Sequence, residues 1–396
     1  MYKFLLITIF TFMAFACSNK TQNTAADTSE TLADSLEKAM ESISDKNSLY
    51  LIVGTYTSGA SEGIYVYQLD TLSAYSKLLS ETKVDNPSYL TLTEDEKYIY
   101  AVSENDDKTA AANAYEFDKQ TGKLKFINQQ LTGGTAPCYI TVDKSGKHVV
   151  TANYSGGSVT VFNTKDGGGL DVASDVISFT GKGVDAKRQT QPHIHCVRYT
   201  PDGNYLFATD LGTDKVHKFV VNENVLGSHL KVGMPQSVKV ADGSGPRHLT
   251  FHPNGKFAYL ITEMSGEVIA FDYGNGTLSQ IQSVKSDTLN AQGSADIHIS
   301  PDGKFLYSSN RLQGDGIAIF TINEADGRLS KVGYQNTGVH PRNFILTPNG
   351  KYLLVASRDD NVIQIFARDE KTGLLENTFK DIKLDMPVCL QFASFR

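Results

Sequence analysis

The chain of 396 residues has no tryptophan, only four cysteines and no surplus of positive charge. Its 37 Lys and Arg stand against 44 Asp and Glu, a formal net charge of −7. With no basic block to follow a phosphate backbone, nucleic acid is not an expected partner. Neither a Walker loop nor a GxSxG elbow occurs, and Gly156, Gly157 and Gly167 to Gly169 lack the strand-to-helix context of a cofactor loop. Setting Cys17 aside leaves Cys138, Cys196 and Cys389, an odd set without framework spacing, which reads as buried thiols rather than disulfides.

What is present is a drifting repeat. It reads PRHLTFHPNGKFAYLITE from Pro246, ADIHISPDGKFLYSSNR from Ala295 and PRNFILTPNGKYLLVASR from Pro341, with weaker copies from Pro87, Pro137 and His193. Aligned by their turns, the units begin at Pro87, Pro137, Ile194, Pro246, Ser294, Pro341 and Pro387, in steps of 46 to 57 residues. Within each unit apolar and polar residues alternate over short stretches bounded by Gly, Asn, Asp and Pro, which predicts strands and hairpins. Four strands fill such a period, so the expected fold is all-β: a β-propeller of seven four-stranded antiparallel blades. The last unit, PVCLQFASFR, supplies one inner strand, and LYLIVGTYT, GIYVYQL and a run near Leu78 supply three outer ones. Together they close the ring and remove the open edge at the join.

The N-terminus reads differently. Residues 1–16 form an expected signal sequence, with Lys3, an apolar core from Phe4 to Phe15, and small residues before Cys17. The arrangement resembles a bacterial lipoprotein signal, which implies lipidation of Cys17 and a cell-envelope protein on a lipid anchor; ordinary secretion is the alternative, since Ala14 stands where Leu is usual. Residues 17–47, rich in Thr, Ser, Asp, Glu and Ala, read as a tether with a short helix around Leu36 to Ile43. The propeller is assigned to residues 48–396.

In a propeller the start of each inner strand and the end of the next strand lie at one mouth of the central channel. The position after each leading residue holds Ser88, Cys138, His195, Arg247, Ala295, Arg342 and Val388. The second strands end in Tyr56, Glu104, Tyr154, Leu211, Glu263, Arg311 and Arg358. A purely structural repeat would hold similar residues in every copy, yet charged groups and histidines occupy particular blades. His195, Arg247, Glu263 and Arg311 are the candidate catalytic set, since buried charges are costly unless they pair or meet a ligand. His193, Arg342, Asn343, Glu104 and Tyr154 are the candidate substrate contacts. His248 and His298 read as structural, and Cys138 as packing rather than a thiol nucleophile. His193 and His195 form an HxH pair, but no third ligand has a telling spacing, so no metal is expected.

The phrases VGTYTSG, APCYITVD, TANYSGGSVTVF, RQTQPHIH, ATDLGTDKV, GSGPRHLTFHPNGK, SNR and HPRNF resemble the seven-bladed-propeller lactonases, a family that includes 6-phosphogluconolactonases and carboxy-muconate lactonizing enzymes. The resemblance runs from about Leu49 to Arg396. It implies hydrolysis of a lactone at the channel mouth without metal or cofactor, with His195 or Glu263 as base and arginines meeting the carbonyl oxygen or an anionic group. Tyr139 departs from the family pattern, in which His commonly follows Pro-Cys. The expected partner is a small lactone or acidic sugar, with membrane contact through the lipid alone. Two alternatives stand beside it: a propeller that only binds a ligand or protein on this face, and a muconate-type cyclase or isomerase.

Overall fold

The computed structural model describes residues 44–222 and 228–396. The expectations for residues 1–16, Cys17 and the helix around Leu36 to Ile43 fall outside the described residues. Asp45–Asn47 form a turn of 3-10 helix, and Asp45 accepts a hydrogen bond from Gln68 on the first blade. Among the described residues no helix is long and apolar enough to cross a membrane.

Seven antiparallel sheets follow one another along the chain, and six of them have four strands in simple up-and-down order. The join is made as the fragments predict: Pro387–Ser394 pairs with Ser48–Thr55, setting Leu51 against Phe392 and Val53 against Leu390. The innermost strands touch one after another round the whole ring. The seventh blade departs from the pattern, because its outer edge is broken into Leu375–Asn377 and Ile382–Lys383, both paired with Val362–Arg368.

The repeated turn has a backbone reason. Gly146, Gly203, Gly255, Gly303 and Gly350 all take a positive φ near 70°, and each donates its N–H to the carbonyl three residues earlier. Glycine alone adopts that conformation without strain. In the second blade Glu96 occupies the same position at φ 54°.

With no tryptophan to fill the spaces between blades, buried tyrosines bridge them. Tyr100, Tyr259 and Tyr307 each carry a hydroxyl to a glycine carbonyl in the outer hairpin of the next blade, Gly168, Gly327 and Gly373, at 3.0, 2.8 and 2.8 Å. The rings bury apolar area between neighbouring sheets while the hydroxyls keep a partner.

Candidate active site

The position singled out by the repeat is a β-bulge. On the inner strands the pairing slips between Pro137 and Tyr139, Ile194 and Cys196, Pro246 and His248, and Pro341 and Asn343. The residue left unpaired is Cys138, His195, Arg247 or Arg342. A bulge frees one residue from the ladder and re-aims its side chain, a device common beside active sites. The residue before the first position of each repeat unit is also bound in a fixed way. Its carbonyl accepts the N–H of the residue after the second strand in all seven blades, from Met386 with Tyr56 to His340 with Arg358. That bond draws the two rings of candidate residues together. In blade five the accepting residue is Gly245 at φ 66°, where a Cβ would come within 2.8 Å of Met264.

Glu263 organises the mouth. Its Oε2 accepts from Arg247 Nε at 2.8 Å and lies 3.2 Å from an Arg311 guanidinium nitrogen, while Oε1 accepts from Arg188 at 2.6 Å. Side-chain exposures of 38% for Arg188, 10% for Glu263, 6% for Arg311 and 1% for Arg247 order these groups from rim to floor. Burial alone would raise the Glu263 carboxyl, but Arg311, Arg247 and Arg188 together hold it down at about 2. Arg247 is fixed further by Nη1 on the Ala295 carbonyl at 2.7 Å, and Arg311 by Nε on the Gly293 carbonyl at 2.7 Å.

A second ion pair stands across the mouth. Glu104 accepts from the Tyr56 hydroxyl at 2.9 Å and lies 3.7 Å from Arg342, whose guanidinium rests over the Tyr56 ring. Apart from Arg358, which pairs with its neighbour Asp359 at 2.5 Å, the described mouth thus holds four arginines, 188, 247, 311 and 342, against two carboxylates, 104 and 263. That leaves a positive surplus suited to an anionic ligand or to charge that develops on an oxygen.

His195 is buried, with Nδ1 3.7 Å from Cys138 Sγ and its ring edge-on to Tyr154 at 5.5 Å. Burial, then the charge of Arg247, pushes its pKa well below the usual histidine value, so the imidazole is neutral at pH 7. The Cys138 thiol faces the Ile194 and His195 carbonyls, and burial raises its pKa well above the ordinary thiol value, the opposite of what a nucleophile needs. His193 stacks on Tyr154 with centroids 4.4 Å apart and bonds the Tyr154 carbonyl at 3.0 Å.

Below this layer the channel is plugged. Asp296 accepts from His248 at 2.8 Å, His298 at 2.9 Å and Asn343 at 2.5 Å. Tyr89 and Tyr139 stack at 3.9 Å beside them. Asn343 was expected to touch substrate; both ends of its amide are engaged, the other accepting from Leu390 N at 2.7 Å. It ties the ring closure to Asp296 and also lines the small void described next. Above the plug lies a void of about 10 Å³ lined by Ser88, His195, Arg247 and Arg342 among others. That is room for about one water. The Ser88 hydroxyl oxygen is buried there with no hydrogen-bond partner among the described residues.

The sequence reading brought together His195, Arg247, Glu263, Arg311, Arg342, Glu104, Tyr154 and His193, and the structure places all of them at one mouth. It passed over Arg188, which sits in RQTQPHIH on the segment before the fourth blade, outside the repeat register. The signal available was the 57-residue step from Pro137 to Ile194, the longest of the repeat.

Residues 50–392 match the family model described as lactonase, 7-bladed beta-propeller. The 6-phosphogluconolactonase of Formosa agariphila is 39% identical over 87% of this chain and 99% of its own length, and that of Bacillus subtilis is 39% identical over 86% and 97%. A Bacteroides fragilis crystal structure provisionally assigned as a 6-phosphogluconolactonase superposes with a TM-score of 0.87 at 57% identity, covering 88% of this chain and 99% of that one. The periplasmic gluconolactonase of Pseudomonas aeruginosa gives 0.84 at 35%, covering 88% and 100%. By fold, by motif and by near full-length similarity, this chain belongs to the seven-bladed β-propeller lactonase family.

Proposed function

We propose that this protein hydrolyses a sugar lactone at the arginine-lined mouth, with His195 as general base and Arg247 stabilising the oxyanion. The observation that carries the reading is the small void bordered at once by His195, Arg247 and the unpartnered Ser88 hydroxyl. A neutral imidazole, a guanidinium and a water-sized space are what hydrolysis of an ester carbonyl requires. Glu263 is the weaker candidate for base. Its carboxyl is held at about 2 and both oxygens are engaged by arginines, so it reads as the group that positions Arg188, Arg247 and Arg311.

In the reaction His195 accepts a proton as the water oxygen bonds to the lactone carbonyl carbon. Negative charge gathers on the carbonyl oxygen beside Arg247. As the tetrahedral intermediate collapses, the ring C–O bond breaks and the protonated His195 returns its proton to the departing alkoxide. The product is a hydroxy acid, which ionises at neutral pH and releases one proton per turnover. Of the remaining guanidiniums, Arg342 and Arg188 hold a carboxylate or phosphate of the substrate.

Relatives named 6-phosphogluconolactonase support lactone hydrolysis, and the periplasmic gluconolactonase supports activity outside the cytoplasm on an unphosphorylated lactone. With Cys17 lipidated, the propeller would work at the cell envelope, where the substrate is a sugar lactone other than an intracellular phosphorylated intermediate. The test is acid release in a pH-stat from paired phosphorylated and unphosphorylated lactones. Preferred turnover of unphosphorylated substrates supports the placement, and strict dependence on phosphate overturns it. A binding-only propeller is the second reading, favoured by the saturation of Glu263 with arginines, and no release from any lactone would select it.

A further inference from the structure

We infer that the face opposite the arginine mouth carries a divalent-metal site built by Asp143, His148 and His229 across the third and fourth blades. Inner strands start at the catalytic mouth and end at the other one. Asp143 follows the end of the inner strand Pro137–Val142, and His148 opens the next strand, His148–Asn153. His229 precedes the outer strand of the fourth blade, Leu230–Lys239. One ligand atom from each of the three lies within 4.8 Å of the other two.

Each group is already held in place. Asp143 Oδ1 accepts the backbone N–H groups of Lys147 and His148 at 2.8 and 3.1 Å, which turns Oδ2 toward His148 Nδ1 at 2.9 Å. The His148 and His229 rings stack with centroids 3.7 Å apart and 12° between their planes. His229 Nε2 bonds the Tyr199 hydroxyl at 2.7 Å. His229 Nδ1 is buried, in a side chain belonging to a residue 4% exposed, and meets no hydrogen-bond partner among the described residues. One ring nitrogen fixed by an outer partner and the other bare is the arrangement that orients a metal-ligating histidine.

Two nitrogens and one carboxylate oxygen suit zinc or a similar first-row ion rather than calcium or magnesium, which favour oxygen. Tetrahedral zinc with bonds of about 2.1 Å sets its ligand atoms roughly 3.4 Å apart and lies in the plane of each ligating ring, so the cluster must contract by about 1 Å and one of the two stacked rings must swing out of parallel to meet the ion. An adjoining cavity of about 450 Å³, lined by Asp143, His148 and Tyr199, gives an entry path and room for water as a fourth ligand. Because the ligands come from two blades, the ion would staple one blade to the next.

The test is zinc titration of the full-length protein, stripped with a chelator, by calorimetry and by thermal melting. The expected result is one zinc ion per chain at micromolar concentration and a rise in Tm. His148→Gln and His229→Gln should each weaken binding at least tenfold and abolish the rise, while His193→Gln keeps both. His148 is only partly buried, so its variant tests the site even if His229→Gln fails to fold. No ion held at micromolar zinc, or binding unchanged in His148→Gln, would overturn the inference.

Discussion

Arg247 and Glu263 are buried side by side, Nε to Oε2 at 2.8 Å, one on the bulge of an inner strand and the other just past the end of the strand paired to it. The pair is not isolated. The same carboxylate also binds Arg188 and Arg311, so one anion compensates three cations around the mouth. A buried charge that loses its partner is strongly destabilising.

Glu263→Gln should therefore lower stability by about 3–5 kcal/mol, the cost of leaving buried charge unpaired. Equilibrium denaturation in urea measures it. Glu263→Asp, which keeps the charge, should recover part of the loss. A glutamine variant as stable as the parent would show that the arginines do not depend on Glu263.

Arg247→Lys keeps the charge and removes the planar fork that bonds Glu263 and the Ala295 carbonyl together. If Arg247 stabilises the oxyanion, kcat should fall by about 10²–10³-fold with a smaller change in KM. Steady-state kinetics distinguish this from a binding role, in which KM alone would rise.

Buried histidines give the fold an acid limit. Burial, then the Arg247 charge, lowers His248 to about 4 despite its bond to Asp296, and burial with Arg311 and Arg358 lowers His340 to about 3. An unfolded histidine titrates near 6.5. Between that value and the folded one, the unfolded state binds more protons, so stability falls as pH falls. For His248 the full gap corresponds to about 3 kcal/mol. Glu263, about 2 when folded, adds a further loss below its unfolded value of 4.5. The denaturation midpoint should be level above pH 7, decline from about pH 6.5 and steepen below about 4.5. Turnover, resting on a His195 already neutral, should show no inflection near 6.5. A midpoint level down to pH 5 would contradict the assignment.

Much of this was legible in the sequence because a repeat compares each position with six others. Arg247 stood out against Ala295 and Val388 in the same place, and the ring closure followed from two complementary fragments. What alignment could not give was contact. The bulges that turn Cys138, His195, Arg247 and Arg342 out of the ladder are backbone irregularities without a residue signature, since these four unpaired positions hold three different side-chain types. Asn343 shares a slot with Asp296, yet only packing shows that the two bond each other and form floor. Arg188 lies outside the repeat, where the comparison has no partner. The Asp143, His148 and His229 cluster joins turns of two blades, and no spacing along the chain announces it.

The most direct test of the central claim is a pH-stat comparison of the protein with its His195→Ala variant on a panel of sugar lactones. The account predicts acid release by the parent and a loss of about 10²–10⁴-fold in the variant, as expected for a general base, with the melting transition retained. Turnover unchanged in a folded His195→Ala protein would contradict it and return the role of base to another group at the mouth.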